Sequence, residues 1–401
     1  MNLIRGSYGR LKEISGPCVE RVLPVLLPCI FVFLCLFHYA SGRSFWLDEN
    51  FILEKIQMAG PSGLFGPLGS QAFPRVYLVL VQQAGYLAGF NVFALRALPL
   101  VAMLAAFFVW IRIYRAQEGR GVGYVLFLLS WCGSKFMSYY ASELKQYSGE
   151  LLLSGLFTMF VLRQAGSLKE PVIRFREAAL CFIMPFAVLF SYTAYFFLPL
   201  PAYNLIAGGR GSRKSVILLA AYLVGAIVAV MLSYNLDVKY VHSSSGMWGY
   251  WHDYFISVAS VPEFLQTFTE GVRNLYVRWF LEVSLVRRVI TVFLPFSLFA
   301  TFVMGWKNIR RDGMMITRLS SMAMYLVTGL AVAGAVKLYP FTGARITLYI
   351  APFIFYVTIK GIMTLWDKVP LLGKGMAALY AATLIGTTVY IFMEYVSLYG
   401  S

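Results

Sequence analysis

The stretch Phe73-Pro74-Arg75-Val76-Tyr77-Leu78-Val79-Leu80-Val81-Gln82-Gln83-Ala84-Gly85-Tyr86-Leu87-Ala88-Gly89-Phe90 decides how the whole chain is threaded. A bilayer core about 30 Å thick asks for about 20 apolar residues in a helix, and this stretch nearly qualifies. It also carries Pro74, Arg75, Gln82 and Gln83, with Gly66, Pro67 and Gly69 just ahead. If it crossed the membrane, every basic loop after it would change sides. Read as a helix lying in the interface, it leaves one set of connecting segments with 21 Lys/Arg against 7 Asp/Glu, and the other with 13 against 11. Positive loops stay cytoplasmic, so the interfacial reading keeps the charge asymmetry and a crossing would invert it.

The chain around it is of membrane type. Of its 401 residues 59% are apolar and 13% charged, with mean hydropathy +0.70. Soluble domains are near half apolar and a quarter charged. Disorder, a disulfide-knit secreted fold and a soluble enzyme with one anchor are excluded. Towards the amino terminus, Arg5, Arg10, Lys12 and Arg21 precede the apolar run 22–40. That run reads as an uncleaved first span with the amino terminus in the cytoplasm. Residues 41–96 then form a first external loop, with a second interfacial helix over 46–59 ended by Gly60-Pro61-Ser62-Gly63. Towards the carboxyl terminus, spans are expected over 91–111, 122–139, 147–162, 216–235, 289–306, 316–336, 346–359 and 376–395. A further pair within 177–207 turns near Ser191-Tyr192-Thr193. The expectation is one all-α polytopic membrane domain over 1–401, with about eleven transmembrane helices and a second long external loop over 236–288. The net charge of +16 is thus an orientation signal, not the footprint of a nucleic-acid partner. Cys18, Cys29, Cys35, Cys132 and Cys181 fall in the basic tail or inside apolar runs, giving neither a disulfide framework nor a metal pattern.

Four polar groups fall on the external side. Ser44-Phe45-Trp46-Leu47-Asp48-Glu49 places two carboxylates just after the first span. They can be a helix cap, with Asp48 opening the interfacial helix, or an acid–base pair whose proton affinity is raised by a half-dry setting. Ala141-Ser142-Glu143-Leu144-Lys145-Gln146-Tyr147 places Glu143 and Lys145 on a short loop, as a solvated turn or as a holder of an acidic substrate. In Lys337-Leu338-Tyr339-Pro340-Phe341-Thr342-Gly343-Ala344-Arg345 a tight turn fixes Arg345, which can snorkel to headgroups or bind a phosphate with two parallel hydrogen bonds. The loop 236–288 offers His242, Trp248, Trp251 and His252, either as an aromatic belt or as a sugar-binding surface without zinc spacing. Gly208 to Lys214 lacks Walker spacing, and no Asp-x-Asp occurs.

The shared face of these groups resembles the multi-spanning GT-C glycosyltransferases, the superfamily of protein O-mannosyltransferases and aminoarabinose transferases. The resemblance is carried by Ser44 to Glu49, Phe73-Pro74-Arg75-Val76-Tyr77, Leu95-Arg96-Ala97-Leu98-Pro99, Ser142 to Tyr147, Ser191-Tyr192-Thr193-Ala194 and Tyr339 to Arg345. It implies interfacial helices after the first span and a sugar taken from a polyprenyl-phosphate carrier. It implies Asp48 as catalytic acid–base residue with Glu49 beside it, and Glu143 at a second acidic position that is often Asp in relatives. Inverting transfer follows from this reading, Asp48 taking the proton of an acceptor hydroxyl while Arg345, Lys145 and Tyr339 hold the donor phosphate. His242, Trp248, Trp251 and His252 are the expected contacts to the rest of the substrate. A divalent metal (Mg or Mn) bridging Glu143 and phosphate is compatible with the reading but called for by no ligand pattern. The expected partners are the lipid-linked donor, a glycan, lipid or protein acceptor, and membrane lipid. The expected location is the plasma membrane, a bacterial inner membrane, with the active face periplasmic. The alternative is a transporter or lipid flippase without chemistry, suited by intramembrane charges and the breaks near Pro185, Pro199 and Pro201.

Overall fold

The computed structural model describes residues 21–58, 60–65, 73–167, 174–209, 212–241, 251–280, 283–343 and 345–399. Among them all regular structure is helical. The first elements are α1 (Leu23–Ala40), α2 (Leu47–Met58) and α3 (Arg75–Ala88), followed by α4 (Val92–Glu118), α5 (Val122–Cys132) and α6 (Lys135–Tyr140). Next come α7 (Tyr147–Ser167), α8 (Phe175–Ile183), α9 (Pro199–Gly209), α10 (Arg213–Ser233) and α11 (Val261–Val277). The chain closes with α12 (Ser284–Val292), α13 (Leu294–Arg311), α14 (Leu319–Ala335), α15 (Ala351–Lys368) and α16 (Pro370–Tyr399).

Among the described residues five helical stretches are long and apolar enough to cross a membrane: α1, α4, α10 with its π turn, α15 with the 3₁₀ turn Arg345–Ile350 before it, and α16. The pair α12 and α13, bent by 48°, makes a sixth if counted as one span. The chain is therefore an integral membrane protein. Of the other expected spans, 147–162 lies in the 21-residue helix α7, and the rest are shorter pieces. The run 122–139 breaks at Gly133, where an added Cβ would meet Thr387 Oγ1 at 2.7 Å, and Ser134 then donates to the Trp279 carbonyl at 2.6 Å. Prolines and 3₁₀ turns break 177–207, with Phe190 and Ser191 separating the two 3₁₀ turns. The span over Arg345–Lys368 is the axis of the bundle. Its apolar window is 83% buried, against 28% for those of α1, α10 and α16, which present their outer faces.

The deciding stretch forms α3, whose 14 residues reach only about 21 Å, short of a full crossing. Pro74 opens it, and Gly89, at φ 84°, ends it. Arg75, Leu78, Gln82 and Gly85 repeat at helical spacing along its buried face, while Tyr86 and Leu87 are exposed. On α2 the buried stripe is Glu49, Ile52 and Ile56. These faces close with Leu64, Phe73, Leu95 and Leu144 into a small core separate from that of the bundle. Gln82 Nε2 donates to the Ile56 carbonyl at 2.8 Å, capping the end of α2 from α3.

The region 236–288 is less of a loop than expected. It contains α11, opened by Ser260, whose side chain accepts from the Glu263 N–H, with Pro262 in the first turn. Gly271 and Gly343 let α11 lie against the Phe341–Arg345 turn. A Cβ at Gly343 would stand 2.0 Å from the Asn274 carbonyl oxygen.

Candidate active site

Adjacent residues on a helix point about 100° apart, so Asp48 and Glu49 in the first turn of α2 face different surroundings. Glu49 turns into the small core, fully buried. Arg96 of α4 donates to it from Nε at 3.0 Å and Nη2 at 2.6 Å, and Arg43 Nη1 at 3.3 Å. The Leu144 N–H donates to its Oε1 at 2.7 Å, and the Trp46 N–H to its Oε2 at 3.3 Å. The last of these is the reach-back of a capping residue at the third helical position, so the cap expected of Asp48 belongs to Glu49. Arg96 also holds the Arg43 carbonyl at 2.6 Å, and its guanidinium lies over the Phe45 ring. Glu49 thus ties α2, α4 and the Glu143 loop together, and its acceptor capacity is spent on doing so.

Asp48 faces the other way, towards two cations. Arg345 Nη1 lies 3.1 Å and Lys145 Nζ 3.3 Å from its Oδ2. Each cation is steadied by an aromatic face, Arg345 by Trp46 and Lys145 by Phe73. The turn presenting Arg345 is pinned by Tyr339, whose hydroxyl donates to the Ile346 carbonyl at 2.6 Å, and by Thr347, which donates to the Thr342 carbonyl at 2.7 Å. The Tyr339 proton expected for a phosphate is therefore committed to backbone.

Glu143 is 1% exposed, and neither carboxylate oxygen has a hydrogen-bond partner among the described residues. Burial and the neighbouring Glu49 carboxylate push its proton affinity up to about 7, against the pull of Lys145, Arg345 and Arg43. Burial in turn lowers the Lys145 ammonium, which Asp48 and Glu143 partly offset. Three sequence segments far apart in the chain thus bring Asp48, Glu143, Lys145 and Arg345 within electrostatic reach of one another.

Trp251 stacks edge-on with Tyr254, and His252, mostly exposed, faces Asp253. His242 and Trp248 lie outside the described residues. Sequence reasoning gave no role to a second buried pair: Arg75 Nε lies 3.5 Å from Asp237 Oδ1, to which the Tyr192 hydroxyl donates at 2.7 Å. Arg75 and Tyr192 stand in quoted motifs, and the signal for pairing was an arginine placed on the apolar face of α3.

Among the described residues no three His, Cys, Asp or Glu side chains are grouped to hold a divalent metal, and Asp48 already pairs with two cations.

An all-α membrane bundle with the short helices α2 and α3 packed beside a cluster of carboxylates and cations defines the class. Among the solved structures to which the chain is similar are two of ArnT from Cupriavidus metallidurans. The one bound to undecaprenyl phosphate has TM-score 0.52 at 13% identity, covering 93% of this chain and 77% of that one. The apo form has TM-score 0.49 at 12% identity, covering 92% and 76%. No family model and no curated protein matches the sequence.

Proposed function

We propose that this protein is a GT-C-type glycosyltransferase. It moves a sugar from a polyprenyl-phosphate donor to an acceptor hydroxyl, with inversion, at the periplasmic face of a bacterial inner membrane, its amino terminus cytoplasmic. The observation that carries the reading is the convergence of Lys145 and Arg345 on one oxygen of Asp48. Two cations on a single carboxylate, half-shielded and backed by aromatic faces, form a ready receptor for a phosphate. ArnT, which shares the fold, binds undecaprenyl phosphate.

The chemistry follows from charge. As the carrier phosphate enters, it competes with Asp48 for Lys145 and Arg345, and Asp48 is released to accept a proton. The acceptor oxygen attacks the anomeric carbon and the bond from that carbon to the phosphate oxygen breaks. Positive charge develops on the sugar and negative charge on the departing phosphate, where Arg345 and Lys145 stabilise it without reorganising. Activation comes with the carrier, so no nucleotide site is needed. A glycan, a lipid or a protein can supply the hydroxyl.

A second assignment of the base is favoured by one observation: the two unpartnered oxygens of Glu143. A carboxylate titrating near 7 is better matched to proton abstraction than one neutralised by two cations. In that version Asp48 orients the cations and Glu143 takes the proton.

The test is incubation of the purified protein with radiolabelled polyprenyl-phosphate sugar and a lipid or glycan acceptor. Acceptor-dependent release of polyprenyl phosphate, lost in Asp48→Asn with the protein still inserted, is the expected result. Counterflow of the lipid across vesicles without any turnover would overturn the enzyme reading in favour of a transporter.

A further inference from the structure

The far end of α4 carries a second cationic site, which the transfer step does not use. Arg96, near the start of this helix, holds Glu49. At about 1.5 Å per residue, Arg115 stands roughly 29 Å further along the axis. That is about the thickness of a bilayer core, so Arg115 meets the opposite leaflet from the Asp48 cluster. The loop charges assign that side to the cytoplasm.

The outer face of α4 changes character along its length. Val101, Ala105 and Phe108 follow one another at helical spacing, the first and last exposed, and Arg112 and Arg115 continue the same stripe. Gly119, at φ 77°, ends the helix, and Arg120 follows it. Phe108, Ile111, Arg112, Arg115 and Arg120 line one open hollow of about 600 Å³. The acid of this stretch is engaged elsewhere: Glu118 accepts from Lys360 Nζ at 2.7 Å and from the Tyr356 hydroxyl at 2.6 Å, both on α15. Arg112, Arg115 and Arg120 form no ion pair among the described residues.

Three guanidiniums around one hollow repel one another, and an anion between them offsets that repulsion. Each presents paired N–H groups that match a phosphate. The exposed apolar stripe runs from the hollow into the membrane core, so the anion that fits carries acyl chains. A zwitterionic head group would bring its own cation against three others. Three fixed charges exceed the single charge of an ordinary phosphodiester, so two phosphates match the site better than one. Basic pockets at the cytoplasmic membrane surface bind such head groups.

We infer that the hollow at the end of α4 binds the head group of an anionic phospholipid, preferring one with two phosphates, whose acyl chains lie along Val101, Ala105 and Phe108. The site stands apart from the proposed transfer, on the other side of the membrane.

The test is native mass spectrometry of the delipidated full-length protein in detergent, titrated with cardiolipin, phosphatidylglycerol or phosphatidylethanolamine. One cardiolipin per chain is expected, held at least about fivefold more tightly than phosphatidylglycerol, the factor that one basic residue contributes near an anionic lipid. Replacing all three residues (Arg112→Gln, Arg115→Gln, Arg120→Gln) should weaken it roughly a hundredfold. The corresponding lysine changes keep the charge that orients the chain but lose the planar forks, and should weaken it roughly tenfold. They decide the matter even if the glutamine variant does not insert. Equal affinity of wild type for cardiolipin and phosphatidylethanolamine, or cardiolipin binding unchanged in the lysine variant, overturns the site. Loss of cardiolipin in Arg345→Ala would assign it to the Asp48 cluster, and full displacement by inorganic phosphate would make the ligand a free anion. Either result overturns the lipid assignment.

Discussion

Glu49 and Glu143 are both buried carboxylates at the same end of the molecule, and they are built in opposite ways. Glu49 accepts from two arginines and two backbone amides. Glu143 accepts from nothing among the described residues. The first arrangement leaves no room for a substrate and holds three chain segments in register. The second stores an unmet demand that only a ligand, a proton or water can satisfy. Satisfaction of hydrogen bonds, more than burial or charge, separates the group that builds the site from those that use it. Asp48 stands between them, satisfied by cations that a phosphate can take away.

The largest expected effect falls on the building side. Glu49→Ala leaves Arg96 and Arg43 facing a buried void and frees the Leu144 amide. Breaking a buried charge network from one side costs about 3–5 kcal/mol. The expected outcome is detachment of the α2–α3 unit from the bundle, read as rapid proteolysis within 41–96 and loss of the folded protein on heating in detergent. A Glu49→Ala protein that is as stable as wild type but inactive would place Glu49 with the reacting groups and break the comparison.

Asp48→Asn comes next and should act on rate alone. Loss of a general base is worth about 10²–10⁴ in turnover. The thermal midpoint should stay near that of wild type, since Asp48 is partly exposed and exposed pairs contribute little. A large fall in stability with the turnover of the surviving protein intact would move Asp48 to the building side. Arg345→Lys follows with a smaller effect. It keeps the charge but loses the planar fork, so carrier affinity should fall roughly tenfold, measured by displacement of labelled polyprenyl phosphate.

How far the sequence carried this distinction depends on the kind of signal. The membrane class, the short α3 and the first-turn position of Asp48 and Glu49 were legible from local features: hydropathy, Pro74, Gly89 and the Gly60-Pro61 break. So was the grouping of Asp48, Glu143 and Arg345 at one end of the molecule, because charge asymmetry assigns their loops to a common side. The division between Asp48 and Glu49 was not legible. It depends on which face of α2 meets Arg96, 47 residues away, and the Leu144 amide, 95 residues away. Helix α11 was legible and passed over. Ser260-Val261-Pro262-Glu263 is a capping box with proline in the first turn, but 236–288 was read for its aromatics and histidines. The broken spans were hidden for another reason. Hydropathy does not report a tertiary contact such as that of Gly133 with Thr387.

Glu143→Gln probes the unsatisfied side through pH. Burial raises the folded-state affinity of Glu143 above that of the unfolded chain. Its stabilising contribution is therefore complete below the unfolded value, near 4.5, and is lost as pH rises through about 7. The glutamine variant should be more stable than wild type at pH 8 and no more stable at pH 5, by thermal midpoint. If Glu143 is the base, the wild-type rate should also climb through pH 7 and the variant should lose that limb together with most of its activity. If Asp48 is the base, the variant should retain activity within about tenfold and its profile should shift to lower pH.

Tyr339→Phe gives the smallest expected effect and the sharpest test of the rule. The Tyr339 hydroxyl is satisfied by the Ile346 carbonyl, as Glu49 is satisfied by its partners, although the sequence places it among the phosphate ligands. Removing the hydroxyl keeps the ring against Phe196 and leaves one carbonyl short of a donor in the turn that aims Arg345. That loss is worth about 1 kcal/mol and should register as a slightly lower thermal midpoint. The pH–rate profile should not move, and turnover should fall no more than a few-fold through looser placement of Arg345. A tenfold loss of carrier affinity at unchanged stability would mean that the hydroxyl reaches the phosphate as well. A satisfied group would then also be a reacting one, and hydrogen-bond satisfaction would cease to separate the two halves of this site.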